Sequence, residues 1–227
     1  MLKFFLVLPF ALLAADASAA DRWSGFYAGG NVGYGMAKTS ADYSILGIPA
    51  FTAAENLDGF IYGAQLGYNK QWGSFVLGIE ADIQATAQKA TTSRGCLTAV
   101  CGIGLTQTSD DQIAWLATLR GRAGIAHRNV FIYATAGLGF GEFKSSQTLT
   151  TTLGLITTPI DVGKKPAFVV GGGIETALNS RWSVKFEYLY FETPDFRTDY
   201  TLAGVGLISE NYRLKEQMLR AGLNYRF

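Results

Sequence analysis

Nine charged side chains recur at alternate positions in segments whose intervening positions are mostly apolar. In an extended chain, alternate residues share one face, so these charges would project from one side of their strands. Brought together, they could line a narrow path for ions, or they could pair with each other as a buried structural network. They are Glu80, Asp82, Arg120, Arg122, Glu175, Lys185, Glu187, Arg220 and Arg226.

Other residues that commonly carry chemistry are sparse. His127 is the only histidine, and it lies beside Arg128 and Asn129 in a short polar segment. No serine or carboxylate constellation can be assembled around it from the sequence, so we predict no catalytic site, no metal site and no cofactor. The net charge of +1 gives no basic excess for binding nucleic acid.

The charges lie on elements with a period of two. At the C-terminus, Leu219, Leu223 and Phe227 alternate with Arg220 and Arg226. Similar alternation predicts eight strands, with the facing of the first and fifth left ambiguous because both of their faces are small or apolar. The segments are 24–37, 58–69, 73–86, 112–126, 130–143, 165–178, 181–193 and 214–227.

The connections between these strands alternate in length. Three are short, around 70–72, 127–129 and 179–180, and four are long, at 38–57, 87–111, 144–164 and 194–213. This alternation is typical of transmembrane barrels of the bacterial outer membrane, which have short periplasmic turns and long extracellular loops. The third long loop, rich in threonine and apolar residues, could extend its neighbouring strands beyond the membrane.

The N-terminus has the features of an export signal. Lys3 precedes an apolar run, and Ala17, Ser18 and Ala19 form a small-residue cleavage site. We therefore predict a signal peptide over 1–19 and a barrel domain over 20–227. The alternative, an N-terminal anchor helix, is disfavoured because Pro9 and Asp16 interrupt the run.

Composition and aromatic placement indicate which face meets the membrane. Charged residues make up 16% of the chain, where soluble proteins usually have about 25%. Tryptophans near the predicted strand ends resemble the aromatic girdles of membrane barrels, and they are Trp23, Trp72, Trp115 and Trp182. We therefore expect the charged face to point into the barrel, with a soluble sandwich or lipocalin-like barrel as the alternative.

The charged positions should then pair inside the barrel. Glu80 and Asp82 lie on the strand next to Arg120 and Arg122, and we expect Glu175 to neighbour Lys185 and Glu187 to neighbour Arg220. Eight strands leave an interior just filled by side chains, so a structural plug is favoured over an ion path.

The long loops contain the only two cysteines. Cys96 and Cys101 lie in the second long loop, and export would take them to an oxidising compartment. We predict a short-range disulfide between them, with a metal site as the weaker alternative.

The first strand of the predicted barrel resembles a known family, and its C-terminus resembles that of outer-membrane barrels in general. The stretch from Trp23 to Gly35 is similar to the first strand of small alphaproteobacterial outer-membrane barrels, the "porin family" surface proteins related to the OmpA transmembrane domain and to opacity-type proteins. Leu223, Tyr225 and Phe227 resemble the C-terminal signal that the barrel-assembly machinery reads. The resemblance implies an outer-membrane location and contacts with lipid and lipopolysaccharide.

For function, three classes follow. The favoured one is a structural and surface-interaction protein of the envelope that meets host or environmental ligands through its loops. The main alternative is a narrow porin-like channel for ions or small solutes. The third, an enzyme acting on lipid or peptide, lacks a recognisable catalytic cluster, so we expect no enzymatic activity.

Overall fold

The computed structural model describes residues 22–95, 106–151, 154–202 and 206–227. The regular elements in these ranges are ten β-strands: β1 (Gly25–Ile45), β2 (Ile48–Trp72), β3 (Phe75–Thr86), β4 (Lys89–Gly95), β5 (Thr106–His127), β6 (Val130–Thr151), β7 (Gly154–Ala177), β8 (Trp182–Glu192), β9 (Phe196–Leu202) and β10 (Gly206–Arg226). Within the described ranges, no helix has the length and apolar character needed to cross a membrane.

Eight of the strands form a closed antiparallel ring in the order β1–β2–β3–β5–β6–β7–β8–β10. The ring closes because β10 pairs with β1, from Tyr27 opposite Arg226 to Ile45 opposite Ile208. The predicted eight-stranded barrel is therefore confirmed. The shortest ring strands, β3 and β8, have 12 and 11 residues, close to the length that a tilted strand needs to span a bilayer.

One end of the ring is built from tight turns. The strands β2 and β3 are joined through Gly73 and Ser74, and β5 and β6 through Arg128 and Asn129. Gly73 and Arg128 adopt left-handed φ angles of 60° and 53°, which suit the two-residue turns of antiparallel hairpins. We call this the turn end. The first turn lies one residue beyond the predicted 70–72, because β2 continues through Trp72.

At the other end, the extended end, the predicted long loops contain additional strand structure. The strand β1 continues to Ile45, and β2 begins after the two-residue turn of Leu46 and Gly47. The expectation for the third loop is confirmed, since β6 runs to Thr151 and β7 starts at Gly154. The short strands β4 and β9 pair with β5 and β10.

The extensions divide into two groups above the ring. Strands β2 and β4 share a single residue pair, Asp58 with Lys89, and the pairing of β7 with β8 stops at Phe168 opposite Glu192. Beyond these points β9, β10, β1 and β2 form one sheet, and β4, β5, β6 and β7 form another.

Burial identifies the two faces of the wall. Outward positions carry exposed large apolar side chains such as Phe60, Phe168 and Phe186, whereas inward charged side chains are buried. The two ambiguous strands are also assigned: Tyr27 on β1 and Tyr133 on β6 point inward, with Phe26 outward on β1.

One register shift changes the facing of a residue in β5. Simple alternation along the sequence of β5 predicts that Ile113 shares the outward face of Trp115. The structure instead buries Ile113 completely, because a β-bulge lies between Ile113 and Trp115. A bulge adds one residue to one strand and so reverses the alternation beyond it.

Candidate functional site

The charged residues meet in the middle of the barrel interior. They project inward from β3, β5, β7, β8 and β10, and the strand register places Glu80 opposite Arg120 and Glu187 opposite Arg220. Eight of the nine predicted side chains form one network of ion pairs: Glu80, Asp82, Arg120, Arg122, Glu175, Lys185, Glu187 and Arg220. We call this set the central network.

Arg120 contacts three carboxylates of the central network. Its Nη2 atom lies 2.6 Å from Glu80 Oε1 and 2.8 Å from Asp82 Oδ2, and its Nη1 atom lies 3.0 Å from Glu187 Oε1. A guanidinium presents five donors in a planar fork, which suits it to bridging several carboxylates at once. Arg120 therefore joins strands β3, β5 and β8 across the interior.

Arg122 and Lys185 connect further pairs of strands. Arg122 donates to Glu175 Oε2 at 2.8 Å and to Glu80 Oε2 at 3.2 Å. Lys185 Nζ lies 2.8 Å from Glu80 Oε1, and Arg220 pairs with Asp82 and Glu187. The network is thus a set of shared contacts rather than isolated pairs.

The partners differ in part from those expected from strand adjacency. Glu175 and Lys185 do stand opposite each other on β7 and β8. However, Glu175 pairs with Arg122, and Lys185 pairs with Glu80 and Glu187. These long side chains reach across the narrow interior, so register neighbours are not obliged to pair.

Hydroxyl and amide groups complete the hydrogen bonding of the carboxylates. Tyr27 Oη donates to Glu80 at 2.8 Å, Tyr133 Oη donates to Glu187 at 3.0 Å, and Thr118 Oγ1 donates to Asp82 at 2.7 Å. Ser183 and Asn224 donate to Glu175. Sequence reasoning missed the two tyrosines because their strands show no polar alternation.

An apolar layer lies above the central network, toward the extended end. Its inward residues are buried and pack together: Ala37, Leu57, Ile61, Ile113, Leu116, Phe143, Ala167, Val169, Leu189, Phe191, Leu214 and Met218. The charged residue Glu216 is also fully buried on this stretch of β10. The sequence predicts that the charged face points into the barrel, and it does not predict this apolar layer.

A second apolar layer closes the turn end. Trp23 is completely buried there with Val76, Ala126, Phe131, Tyr133 and Ala177. The Trp23 and Phe131 rings lie 5.4 Å apart between centroids. The predicted place of Trp23 in an outward aromatic girdle is therefore wrong. Its ring points into the mouth of the barrel and packs against Phe131, so it does not face lipid.

Arg226 belongs to this lower layer and not to the central network. Its guanidinium lies 4.9 Å from the centre of the Trp23 ring and donates to the carbonyl oxygen of Arg22. Within the described ranges it has no ion-pair partner among the carboxylates. The reason is its position at the end of β10, opposite Tyr27, several residues below Arg220.

The other predicted girdle tryptophans lie on the outer face. Trp72 and Trp182 are exposed at the turn end, and Trp182 packs edge-to-face against Tyr225 at 5.0 Å. Trp115 lies toward the extended end, where its Nε1 donates to Glu142 Oε2 at 2.6 Å. These positions have the amphipathic surroundings in which tryptophan occurs at membrane interfaces.

The remaining predicted residues lie apart from the interior. Leu223 and Phe227 are exposed at the outward face of the C-terminus, next to Tyr225, and their assembly role stays a prediction. His127 is exposed at the end of β5. Cys96 and Cys101 lie outside the described residues, so their disulfide also stays a prediction. In the ranges that the structure describes, no three histidine, cysteine or acidic side chains are grouped to hold a metal ion.

Comparison with known proteins identifies the family of this chain. A family model described as the outer membrane protein beta-barrel domain matches residues 5–227. The chain belongs to this family. It is accordingly a β-barrel protein of the Gram-negative outer membrane, as the sequence resemblance implied, with the turn end facing the periplasm and the extended end facing outward by the general rule for such barrels.

Relatives of this outer-membrane barrel match it over most of its length. It is 30% identical to the 31 kDa outer-membrane immunogenic protein of Brucella melitensis, over 94% of this chain and 88% of that protein. It is 26% identical to the 22 kDa outer membrane protein of Rhizobium leguminosarum, over 94% and 82%. The crystal structure of OprG from Pseudomonas aeruginosa matches with a TM-score of 0.52 at 11% identity, covering 90% of this chain and 96% of that one, a likeness of fold alone.

Proposed function

We propose that this outer-membrane barrel has a sealed interior and serves as a structural and surface-interaction protein of the envelope. The observation that carries the proposal is the filling of the interior at three successive levels. The buried aromatic layer around Trp23 lies at the turn end, the central network follows, and the apolar layer around Phe191 and Met218 lies above it.

The central network supports a sealed interior through its charge balance. Arg120, Arg122, Lys185 and Arg220 face Glu80, Asp82, Glu175 and Glu187, so four cationic groups neutralise four anionic ones. A permeating ion would have to separate pairs that are buried from water, and a buried charge without its partner is costly. The network therefore suits a structural plug.

The layers above and below support the same conclusion. An ion entering from the outer side would meet the apolar side chains of Leu116, Val169 and Leu189, which offer it no polar ligand. At this level the described residues also include the buried carboxyl side chain of Glu216. From the periplasmic side the ion would meet Trp23 and Phe131. Apolar constrictions of this kind oppose passage because an ion cannot keep its hydration shell within them.

The extended end supports a surface-interaction role. The β1–β2 and β6–β7 hairpins continue well beyond the ring, and Leu46 and Ile48 at the tip of the first are largely exposed. Exposed apolar side chains together with unpaired strand edges are features that bind partners. The relative from Brucella melitensis is named an immunogenic protein, which fits a surface that meets host molecules.

The proposal includes further partners that contact the barrel wall and its C-terminus. Its outer wall meets outer-membrane lipid and lipopolysaccharide, and its C-terminal Leu223, Tyr225 and Phe227 would be read by the barrel-assembly machinery. We include no cofactor and no catalytic role. The interior carboxylates of the central network are held by cations and hydroxyl donors, which leaves them poorly placed as acids, bases or nucleophiles.

Ion conductance of the refolded protein in a planar bilayer tests the proposal. A sealed interior predicts a silent bilayer, whereas the channel alternative predicts discrete current steps.

A further inference from the structure

Two lysines face each other across the junction of the first and last ring strands. Lys38 on β1 stands directly opposite Lys215 on β10, and both side chains are exposed on the outer face. Like charges in this arrangement destabilise a sheet. Lys215 has Glu192 at 3.3 Å on its other side, whereas Lys38 has no ion pair within the described ranges. An anion between the two ammonium groups would remove the repulsion.

More cationic and polar groups lie along the same junction. Arg213 follows two positions above Lys215 on the outer face of β10 and is paired with Asp195. Two positions below, Gln217 stands opposite Met36 and accepts a hydrogen bond from Tyr188 Oη at 3.1 Å. Along the outer face of β10, charged side chains thus give way to an uncharged amide within a few residues. A decrease in polarity of this kind occurs at a membrane interface.

An apolar groove begins below this polar band. It has a volume of about 900 Å³ and lies between aromatic walls, with Tyr34 and Phe60 on one side and Phe186 and Tyr188 on the other. The Tyr34 and Phe60 rings meet edge-to-face at 5.5 Å. Leu219 lies between the walls, opposite both Tyr34 and Tyr188, and its smaller side chain leaves the groove open.

We propose that this junction binds one outer-leaflet glycolipid molecule of the lipid A type, with a headgroup phosphate between Lys38 and Lys215 and an acyl chain in the groove. The lysines lie four residues above Tyr34 and Leu219, which is about 13 Å along a strand. That spacing suits an amphiphile whose phosphate and acyl chain occupy adjoining layers. The groove faces the membrane, so its occupant is a lipid.

The existing contacts of the two lysines leave them available to bind a phosphate. The Lys215–Glu192 pair is solvent-exposed. Such pairs contribute little to stability, so a phosphate can compete with Glu192 for Lys215. The inference deepens the proposed lipid contacts and rests on the proposed function only in taking the extended end as the outer side. It does not depend on a sealed interior. The conductance experiment therefore tests only the sealed interior, and the lipid titration below tests only this site.

The test uses the full refolded barrel in detergent micelles, titrated with bisphosphorylated lipid A and, in parallel, with the same lipid after removal of its phosphates. Binding is followed by native mass spectrometry after a heat-shift gel has verified folding. The variants are Lys38→Gln, Lys215→Gln and their combination. The control is Lys70→Gln, which removes a lysine at the turn end of β2.

The proposal predicts that each junction substitution weakens binding of the phosphorylated lipid by up to about fivefold, as expected for exposed charge contacts. The control should bind as the unaltered protein does, and the dephosphorylated lipid should bind weakly to every variant. Equal affinity for the two lipids, or equal losses from Lys70→Gln and Lys38→Gln, would overturn the phosphate site.

Discussion

Arg120 and Glu80 stand directly opposite each other on β5 and β3, and their side chains form an ion pair with an N–O distance of 2.6 Å. Both side chains are almost entirely shielded from solvent, at 0% and 1% exposure. Because Arg120 also binds Asp82 and Glu187, its removal leaves three carboxylates with fewer partners in a region of low dielectric constant.

Arg120→Ala should therefore lower the free energy of unfolding by about 3–5 kcal/mol, the usual effect of stripping one partner from a buried ion pair. Urea unfolding of the refolded barrel measures this as a fall in the midpoint. The control is Arg213→Ala, which breaks an ion pair whose side chains are 51% and 60% exposed and should lower the urea midpoint far less, because exposed pairs contribute little. Equal midpoints for the two variants would contradict a stabilising central network.

Double-mutant cycles can show whether Glu175 interacts more strongly with Arg122, across the barrel interior, or with its neighbour in the strand register. Arg122→Met combined with Glu175→Gln should show a coupling free energy of about 1–3 kcal/mol, because the side chains are in direct contact. The matched cycle replaces Arg122→Met by Lys185→Met, since Lys185 is the register neighbour of Glu175. A larger coupling in the Lys185 cycle would show that adjacency, and not reach across the interior, selects the partners.

Inward glycines provide room for close approach of the strands around the central network. A Cβ atom at Gly137 would lie 2.6 Å from the Cα of Arg120 and would also overlap the Leu119 carbonyl, whereas a Cβ at the neighbouring outward Gly121 would meet nothing nearer than 3.8 Å. Gly137→Ala should thus lower the free energy of unfolding by about 1–3 kcal/mol. Gly121→Ala should leave it unchanged or raise it by about 0.4–1 kcal/mol. The reverse ranking of urea midpoints would refute the steric account.

The exposed ion pair between Arg213 and Asp195, above the membrane, should be detectable in a pH titration as a lowered pKa of Asp195. Hydrogen bonding from Arg213 holds the pKa of Asp195 below its ordinary value, and the pKa of Asp199 is lowered by hydrogen bonds from Ser209 and Arg197. Because the folded pKa of Asp195 is depressed, its stabilising contribution is present above the unfolded pKa and is lost as the pH falls through the folded one.

Arg213→Gln should raise the pKa of Asp195 and leave that of Asp199 unchanged, as followed by NMR of the side-chain carboxyl carbons. A pKa of Asp195 that stays depressed in this variant would show that another group holds it.

Strand periodicity predicted much of the fold and part of the site. Charged and apolar residues alternate in β3, β8 and β10, so the inward positions of Glu80, Lys185 and Arg220 were readable from the sequence. The regular alternation of short and long connections also predicted that the strands form a closed barrel, and it predicted which end of the barrel faces the periplasm. Pairing across the interior was not readable, because alternation gives the face of a strand but not the direction of a long side chain.

The apolar layer of the interior was hidden for a different reason. On the upper parts of the strands, inward residues such as Val169 and Leu189 are of the same types as the outward residues that meet lipid, so no polarity contrast marks the faces. Trp23 was misplaced because a tryptophan near a strand end can equally face the interface or fill the barrel mouth. The bulge beside Ile113 has no distinctive composition, and it reverses the facing that simple alternation predicts.

The most direct test of the account is the planar-bilayer conductance of the refolded protein, prepared without the predicted signal peptide, after a heat-shift gel shows a folded barrel. A known porin, inserted into the same bilayer, verifies that open channels would be seen. A sealed interior predicts no discrete current steps from the protein at any applied voltage that the bilayer tolerates. Reproducible steps, altered in size by Arg120→Ala or Glu80→Ala, would contradict the sealed interior and show an ion path through the central network.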